Sequence, residues 1–312
     1  MKNFIENAPS KKGRENIEKA PEKLSAKLES IMQGAKLVGL EESADNGREI
    51  FCLQVTDFKK WQSRENVENL LPYFGQAALQ VYNERENTPE FDLSDQKNKE
   101  EAIENFTENE LGINSTTYII AENGRLIGFL TGTATEIEGK QIFNLGLSFI
   151  SPKKRNSGIG KELYKNVFKR ENYEAVLGCS STPAAVKHRI NAGKEAGYTG
   201  FFVGYKNGIF GDKGTPEQQA LIEKYSRYIQ EEYEQTSIPL SESPANYVVI
   251  RKEIYPIPPL EEKNLHFLDK DSLAPVFYND VLPIQAKYLP HTVYGILINL
   301  RDEAIPEKTE NG

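Results

Sequence analysis

The feature that most constrains the fold of this sequence is a buried strand that runs directly into a glycine-containing loop and an amphipathic helix. The stretch QIFNLGLSFI, residues 141–150, is apolar almost throughout, which predicts a central strand covered on both faces. The loop SPKKRNSGIG follows at once, and the next helix places Leu163, Val167 and Phe168 on one face. The sequence therefore predicts a helix that begins at the end of a buried strand.

A loop in this position is suited to bind an anion. Gly158 and Gly160 let the main chain approach a ligand closely, and the first N–H groups of the following helix point outward with the positive end of the helix dipole. The side chains of Lys153, Lys154 and Arg155 add positive charge. We expect a diphosphate to bind here.

The glycine spacing distinguishes between the common nucleotide loops. A Walker A loop needs Ser or Thr after Gly160-Lys161, where this sequence has Glu162. A dinucleotide fingerprint needs a third glycine at the position of Leu163. Residues 155–160, Arg-Asn-Ser-Gly-Ile-Gly, instead resemble the Arg/Gln-x-x-Gly-x-Gly/Ala pyrophosphate loop of the GCN5-related N-acetyltransferases (GNAT).

The resemblance extends to the order of predicted elements over residues 49–254. These are a strand, two helices, three antiparallel strands, the loop, and then helix, strand, helix, strand, strand, with Asn123-Gly124 as a hairpin turn and NYVVIRKEI as the last strand. The fold implied is α+β: a mixed, mostly antiparallel central sheet with helices on both faces and a splayed pair of central strands.

The flanking segments are predicted to be extensions of this domain. Residues 1–48 form a polar N-terminal extension with one helix in APEKLSAKLESIMQGAKLVG. Residues 206–245 are an insertion that carries a capped amphipathic helix, and residues 255–312 are a C-terminal extension with a strand at TVYGILINL. Pro72 predicts a kink or a restart in the helix that contains it.

The resemblance implies an acetyl-CoA-dependent N-acyltransferase in which a primary amine attacks the thioester directly. The acceptor would be a small molecule, an amino acid or a protein amine. The resemblance implies two groups of residues that bind acetyl-CoA. Phe149, Ile150 and Ser151 would pair with its pantetheine arm. The pyrophosphate would be held by Arg155, Asn156, Ser157, Gly158, Ile159, Gly160 and Lys161.

The helix after the second central strand departs from the family pattern. A typical member has a Tyr there that protonates the leaving thiolate, but counting from either end of this helix reaches Arg189 or Gly193. The catalytic candidates are therefore His188, Ser181 and Tyr198. Each has a simpler interpretation: a solvent-facing histidine, a helix cap and a packing aromatic.

Further polar side chains near the expected site have structural interpretations as well. Cys179 and Ser180 lie at the end of a strand, where a buried thiol and a cap are the simpler interpretations. Glu136 and Glu138 could accept an amine proton or lie on an exposed sheet edge.

Composition excludes several other classes of function. The net charge of −8 and the pI of 5.3 argue against a nucleic-acid binder. Cys52 and Cys179 are too far apart for a structural metal site, and we expect no metal. No membrane span or leader is recognisable, so we expect a cytoplasmic protein.

Two other hypotheses remain open at this point. The chain could be a non-catalytic acyl-CoA-binding protein of the same fold, in which the missing Tyr reflects lost chemistry. Alternatively, the extensions could mediate protein interaction or assembly into a homo-oligomer. Turnover separates the first of these from an enzyme.

Overall fold

A computed structural model of the protein describes residues 23–43, 48–86, 95–97, 100, 115–170, 173–180, 183–202, 215–232, 248–251 and 292–301. Within these ranges the chain forms six α-helices and nine strands. The helices are α1 (Leu24–Ile31), α2 (Phe58–Trp61), α3 (Arg64–Glu86), α4 (Ile159–Arg170), α5 (Pro183–Glu195) and α6 (Pro216–Glu232). The strands are β1 (Ala35–Ser43), β2 (Arg48–Val55), β3 (Ser115–Glu122), β4 (Arg125–Ile137), β5 (Lys140–Ile150), β6 (Ala175–Ser180), β7 (Tyr198–Phe202), β8 (Val248–Arg251) and β9 (Thr292–Arg301).

The strands form one sheet in the order β1-β2-β3-β4-β5-β6-β9-β7, and β8 pairs with β9 beside this path. Every neighbouring pair is antiparallel except β5 and β6, which run parallel. This confirms the predicted fold class of a mixed, mostly antiparallel sheet.

The turn between β3 and β4 follows the local prediction. Asn123 and Gly124 both have positive φ, 52° and 71°, as a two-residue hairpin turn requires. The strands on either side pair from Glu122 with Arg125 onward. The hairpin is therefore determined by its own turn residues.

Among the described residues, helices cover both faces of the sheet and enclose the apolar clusters described next. Helices α1–α3 pack on the β1–β4 half, where Trp61, Phe51 and Phe129 are fully buried. Helices α4 and α5 pack on the opposite face, around Phe143 and Val167. Helix α6 packs on β6 and β9, on the same face as α1–α3, because adjacent residues of β5, Ile142 and Phe143, point to opposite faces.

The N-terminal segment contains a strand that the sequence analysis did not predict. The expected helix ends at Ile31, and residues 35–43 form β1, which pairs with β2. Gly34 makes the change of direction with a φ of +73°, and a Cβ there would lie 2.3 Å from the carbonyl oxygen of Asp57. Only glycine fits so close to the neighbouring backbone.

Two further elements differ from expectation. Helix α3 continues through Pro72 without a restart. The strand that lies between β6 and β7 is β9, from the predicted C-terminal extension, whereas the expected last strand near Val248 is β8 and pairs only with β9. Strands from both flanking segments therefore belong to the same sheet as the central part of the chain.

Candidate functional site

The two parallel strands β5 and β6 separate soon after they pair. Their register runs from Ile142 with Ala175 to Leu145 with Gly178, and there the pairing ends. Beyond this point, among the described strands, β5 pairs with β4 alone and β6 pairs with β9 alone. We call the space between the facing edges of residues 146–150 and 179–180 the gap; it is the splayed pair predicted from the sequence.

A bulge in β5 opens the gap. The register with β4 shifts between Leu130 and Gly132, so that Thr131 faces two residues of β5. The Thr131 hydroxyl accepts the N–H of Leu147 at 2.8 Å, and a Cβ on Gly146 would lie 2.7 Å from this oxygen. Beyond the bulge, Phe149 packs with the cluster beneath α1–α3, while the preceding side chain, Ser148, turns toward α4.

The loop after β5, residues 151–158, is held by contacts within the protein. The N–H of Ser151 donates to the carbonyl of Ile127 at 2.9 Å, and the Ser157 hydroxyl donates to the carbonyl of Lys154 at 2.5 Å. Lys154 also forms an ion pair with Glu122, which lowers the pKa of that carboxyl. The loop is therefore shaped by its own bonds and by the end of β3.

Six successive backbone N–H groups at the start of α4 have no acceptor in the part of the chain that the structure describes; they belong to residues 156–161. The first N–H bonded into the helix is that of Glu162, which donates to Gly158 at 3.1 Å. Asn156 and Gly158 have positive φ, 65° and 85°, which turns the backbone between strand and helix. Unpaired N–H groups at a helix N-terminus suit an anion, and the anion site expected here from the sequence stays a prediction.

His188 lies beside this helix terminus. A Cβ on Gly160 would lie 3.0 Å from His188 Cδ2 and 3.1 Å from Ile150 Cδ1, so the side chains of His188 and Ile150 lie close to the start of α4. The imidazole is half-buried rather than solvent-facing. Burial, then the charges of Lys187 and Lys161, lower the pKa of His188, so the ring is neutral at pH 7.

The charged side chains along α4 also lie close to the helix terminus. Lys161 and Lys165 both form ion pairs with Glu195 on α5, and the two ammonium groups lower the pKa of that carboxyl. Lys153 is exposed on the loop. A ligand at the unpaired N–H groups therefore meets a positive surface.

Arg189 is buried behind the gap. Its Nε donates to Asn299 Oδ1 at 2.7 Å, and its Nη2 donates to the carbonyls of Val176 at 2.6 Å and Leu297 at 2.7 Å. Burial lowers the pKa of Arg189 to about 10, which leaves the guanidinium charged at neutral pH. Arg189 therefore stands at one of the two positions where counting along the helix would place the Tyr of a typical GNAT.

Two more polar groups, which the sequence analysis missed, accompany Arg189. Burial raises the pKa of Tyr164 on α4, and hydrogen bonding with Ser148 on β5 and the charge of Arg189 only partly oppose this rise. Tyr164 occupies an α4 position whose helical spacing predicts only an amphipathic helix. The sequence carries no signal that these three residues meet.

The remaining sequence candidates lie in different surroundings. Tyr198 is buried against Phe168, and its hydroxyl donates to the carbonyl of Tyr173 at 2.7 Å; burial raises its pKa to about 12. Ser181 lies outside the described residues. The roles proposed for these two residues and for His188 stay predictions.

Four other candidates flank the site or lie at the β4–β5 turn. Cys179 and Ser180 are half-buried at the end of β6, beside the gap. Glu136 accepts a hydrogen bond from Gln141, and Glu138 forms an ion pair with Lys224 of α6. The two carboxylates therefore belong to the turn and its contact with the insertion.

The described residues contain neither a group of metal ligands nor a membrane-spanning helix. Among them, no three His, Cys, Asp or Glu side chains are grouped so as to hold a metal ion. Within the same ranges, no helix combines the length and the apolar character needed to cross a membrane.

Comparisons with known proteins give matches only among solved structures. No protein-family model and no curated protein matches the chain. An aminoglycoside acetyltransferase from an uncultured soil metagenomic sample, in complex with sisomicin, is 19% identical over 40% of this chain and 70% of its own, with a TM-score of 0.26. A ribosomal-protein-alanine N-acetyltransferase from Brucella melitensis is 13% identical over 38% of this chain and 68% of its own, with a TM-score of 0.25.

A third match is RimL, a ribosomal alpha-N-protein acetyltransferase in complex with coenzyme A. It is 12% identical over 56% of this chain and 93% of its own, with a TM-score of 0.32. All three proteins are acetyltransferases, the class that the loop motif resembles. Because the TM-scores are low, the function proposed below rests on the loop and the gap themselves.

Proposed function

We propose that this protein is an acetyl-CoA-dependent N-acyltransferase of the GNAT type that moves an acetyl group to a primary amine by direct attack. The observation that carries the proposal is the row of unpaired N–H groups at residues 156–161, placed at the end of a strand that borders the gap. The N–H groups suit a diphosphate, and the gap suits an extended arm that ends in a thioester.

The cofactor would be held mainly by backbone. The diphosphate would accept hydrogen bonds from the N–H groups between Asn156 and Lys161, with Arg155 and Lys161 supplying charge. The pantetheine arm would pair with the edge of β5 around Phe149, Ile150 and Ser151. Since the N–H of Ser151 already donates to Ile127, the N–H groups available to the arm begin at Ile150.

Catalysis would depend on orientation and on charge stabilisation. Fixing an amine against the thioester carbonyl is worth about 7–11 kcal/mol in favourable cases. A backbone N–H near Ile150 would bond the carbonyl oxygen, where negative charge develops during attack. The first screen for the acceptor should include aminoglycosides and protein α-amines, the acceptors named for the matched acetyltransferases.

The test is calorimetric titration of acetyl-CoA and CoA into the wild type, Gly158→Asp and Gly139→Asp. Both glycines have positive φ, +85° and +77°, and a Cβ on either meets nothing within 4 Å. The two substitutions therefore impose similar backbone strain and the same charge, but only Gly158→Asp places the carboxylate at the diphosphate site. We expect Gly158→Asp to weaken binding by about 100-fold and Gly139→Asp to leave it near that of the wild type.

Absence of acetyl-CoA binding by the folded wild type would contradict the proposal, and equal weakening in both variants would contradict the location of the site. Circular dichroism and thermal unfolding establish that each variant is folded. With binding established, release of free thiol from acetyl-CoA in the presence of an amine library identifies the acceptor and separates an enzyme from a non-catalytic binder.

A further inference from the structure

Arg189 of α5 is a buried cation that replaces hydrogen bonds of the sheet. The pairing of β6 with β9 is interrupted between Val176 and Cys179. At this interruption, Arg189 Nη2 donates to the carbonyls of Val176 at 2.6 Å and Leu297 at 2.7 Å. Its Nε donates to Asn299 Oδ1 at 2.7 Å. Three hydrogen bonds therefore fix the guanidinium beside β6.

The third nitrogen of this guanidinium, Nη1, has no hydrogen-bond partner within the ranges that the structure describes. No carboxylate in these ranges pairs with Arg189 either, although the residue is only 3% exposed. Buried charged groups are usually paired with an opposite charge, because desolvation makes an unpaired charge costly. Burial lowers the pKa of Arg189 to about 10, so the group is still charged at neutral pH. Arg189 thus combines a fixed positive charge with an unused donor.

The unused donor lies at the closed end of the gap. A Cβ on Gly178 would lie 3.0 Å from Arg189 Nη1 and 3.0 Å from Leu145 Cβ. Gly178 and Leu145 are the last pair of β5 with β6, and both are buried. The next residue of each strand is more accessible, since Gly146 is exposed and Cys179 is half-buried. Nη1 is therefore placed beside the point where the gap begins to open.

A cofactor bound as proposed above would direct its acyl group toward this donor. Its arm would enter from the loop and follow β5 backward, with the thioester carbonyl at the N–H near Ile150. The strand from Ile150 back to Leu145 is about 16 Å long at about 3.3 Å per residue. An acetyl group fills only part of this length. The gap therefore leaves room for a longer acyl chain that ends near Nη1.

We propose that the closed end of the gap at Arg189 is a carboxylate site, and that the protein also accepts acyl-CoA donors whose acyl chain ends in a carboxylate. The inference rests on the proposed function and extends its donor from acetyl-CoA to the CoA thioesters of dicarboxylic acids. The terminal carboxylate would accept a hydrogen bond from Arg189 Nη1 and supply the negative charge that the guanidinium lacks.

The terminal carboxylate takes no part in the bond changes. The amine nitrogen forms a bond to the thioester carbonyl carbon, the carbon–sulfur bond breaks, and its electron pair leaves on sulfur. The amine loses a proton to water and the sulfur gains one from water. The products are CoA with a free thiol and an amide that keeps the carboxylate. The modification thus replaces a positive amine with a negative group, whereas acetylation only neutralises the amine.

The state of the free protein explains why a carboxylate should be preferred to a methyl group. Arg189 is already desolvated and fixed by Asn299 and two carbonyls, whether or not a ligand is present. A carboxylate that reaches Nη1 forms a charge-assisted hydrogen bond in surroundings of low dielectric, where such bonds are strong. A neutral chain of the same length would leave Nη1 without a partner.

The test pairs each dicarboxylic donor with a neutral donor of equal chain length. Succinyl-CoA is compared with butyryl-CoA, glutaryl-CoA with valeryl-CoA, and adipoyl-CoA with hexanoyl-CoA, by calorimetry with the wild type and no acceptor. The members of a pair share CoA, the thioester and the number of acyl carbons, so the ratio of their affinities isolates the carboxylate. We expect about 10-fold tighter binding of the carboxylate member at the length that reaches Nη1.

Arg189→Gln and Arg227→Gln provide the comparison within the protein. Arg227 is exposed on α6, so its variant removes the same charge far from the site and serves as the control. In Arg189→Gln the preference should fall to within about twofold, while CoA itself binds as in the wild type. In Arg227→Gln the preference should persist. If Arg189→Gln does not fold, the three ratios measured with the wild type still decide the question.

The outcomes separate this inference from the proposed function. A folded wild type that binds neither CoA nor acetyl-CoA overturns the proposed function, and the carboxylate site with it. Binding of CoA with equal affinities inside all three pairs overturns the carboxylate site alone. A preference that persists in Arg189→Gln also overturns it, because the carboxylate would then bind elsewhere. So does a preference that appears only for acceptors that carry a carboxylate, since the site would then serve the acceptor.

Discussion

The His188 side chain lies where α5, the start of α4 and the unpaired N–H groups of residues 156–161 come together. It projects from α5, contacts the start of α4 where Gly160 has no Cβ, and lies next to the row of unpaired N–H groups. Its pKa is lowered by burial and then by Lys187 and Lys161. An anion at the helix terminus would oppose these effects, because negative charge favours the imidazolium.

We therefore expect His188 to take up a proton when the cofactor binds. The free protein holds the ring neutral, with a pKa below 6.5, and a bound diphosphate raises that pKa, so affinity should increase as pH falls below about 6.5. Calorimetry in buffers of different ionisation enthalpy measures the uptake. The ligand should be 3′-dephospho-CoA, because a phosphate monoester itself titrates near pH 6.

His188→Gln supplies the comparison for this prediction. It keeps a polar side chain of similar size, and we expect the proton uptake to vanish while binding at pH 8 changes little. Uptake that persists in the variant would show that another group titrates.

Among the elements, α1 is attached to the sheet by one buried carboxylate. Glu49 on β2 is 3% exposed and accepts hydrogen bonds from the N–H of Leu24 at 2.5 Å and from the N–H and hydroxyl of Ser25 at 3.2 and 2.5 Å. Leu24 and Leu28 then bury the helix against β2 and α3. A negative charge at the helix N-terminus also complements its dipole.

Glu49→Gln should loosen α1 while the rest of the sheet stays folded. The amide can present one oxygen to the helix N–H groups, but its NH₂ group then faces donors, so we expect a loss of about 1–3 kcal/mol in the free energy of unfolding. Hydrogen exchange should accelerate more in α1 than in α4. Glu29→Gln, at an exposed position of the same helix, is the control, and an equal effect there would contradict the capping role.

At the scale of the whole molecule, β9 holds the second half of the sheet together. It pairs with β6, β7 and β8, and its residues between Gly295 and Leu300 are buried. Arg189 and Asn299 add a side-chain bond between α5 and this strand. Without β9, β6 and β7 would have no common partner.

A chain that ends at residue 291 should therefore fail to fold cooperatively in thermal or denaturant unfolding. Within the full chain, Ile298→Ala should cost about 2–5 kcal/mol, because this side chain is fully buried under α6. Ile222→Ala, at a half-buried position of α6, is the control and should cost less. A shortened chain with a normal unfolding transition would show that β9 is dispensable.

The features that the sequence predicts correctly are those coded by neighbouring residues. Asn123-Gly124 specifies its hairpin through positive φ, and Thr215 and Gln218 form the reciprocal cap of the insertion helix α6. The strand–loop–helix unit around Gly158 is equally local, so the N–H groups that carry the proposed function could be located from six residues. Helix and turn signals act over a few positions and do not depend on the rest of the fold.

The sequence by itself thus determined the fold class, the loop and the hairpin, but only the tertiary structure decided which strands are neighbours and which polar side chains meet. An alternating apolar pattern is the same for a strand at an edge and a strand in the centre, which is why β1 was missed and β9 was assigned to an extension. Arg189 on α5 and Asn299 on β9 are hydrogen-bonded although they lie 110 residues apart, and no periodicity relates them. Their proximity follows from packing over long sequence separation, because side chains from distant elements meet only once the sheet and its helices are assembled.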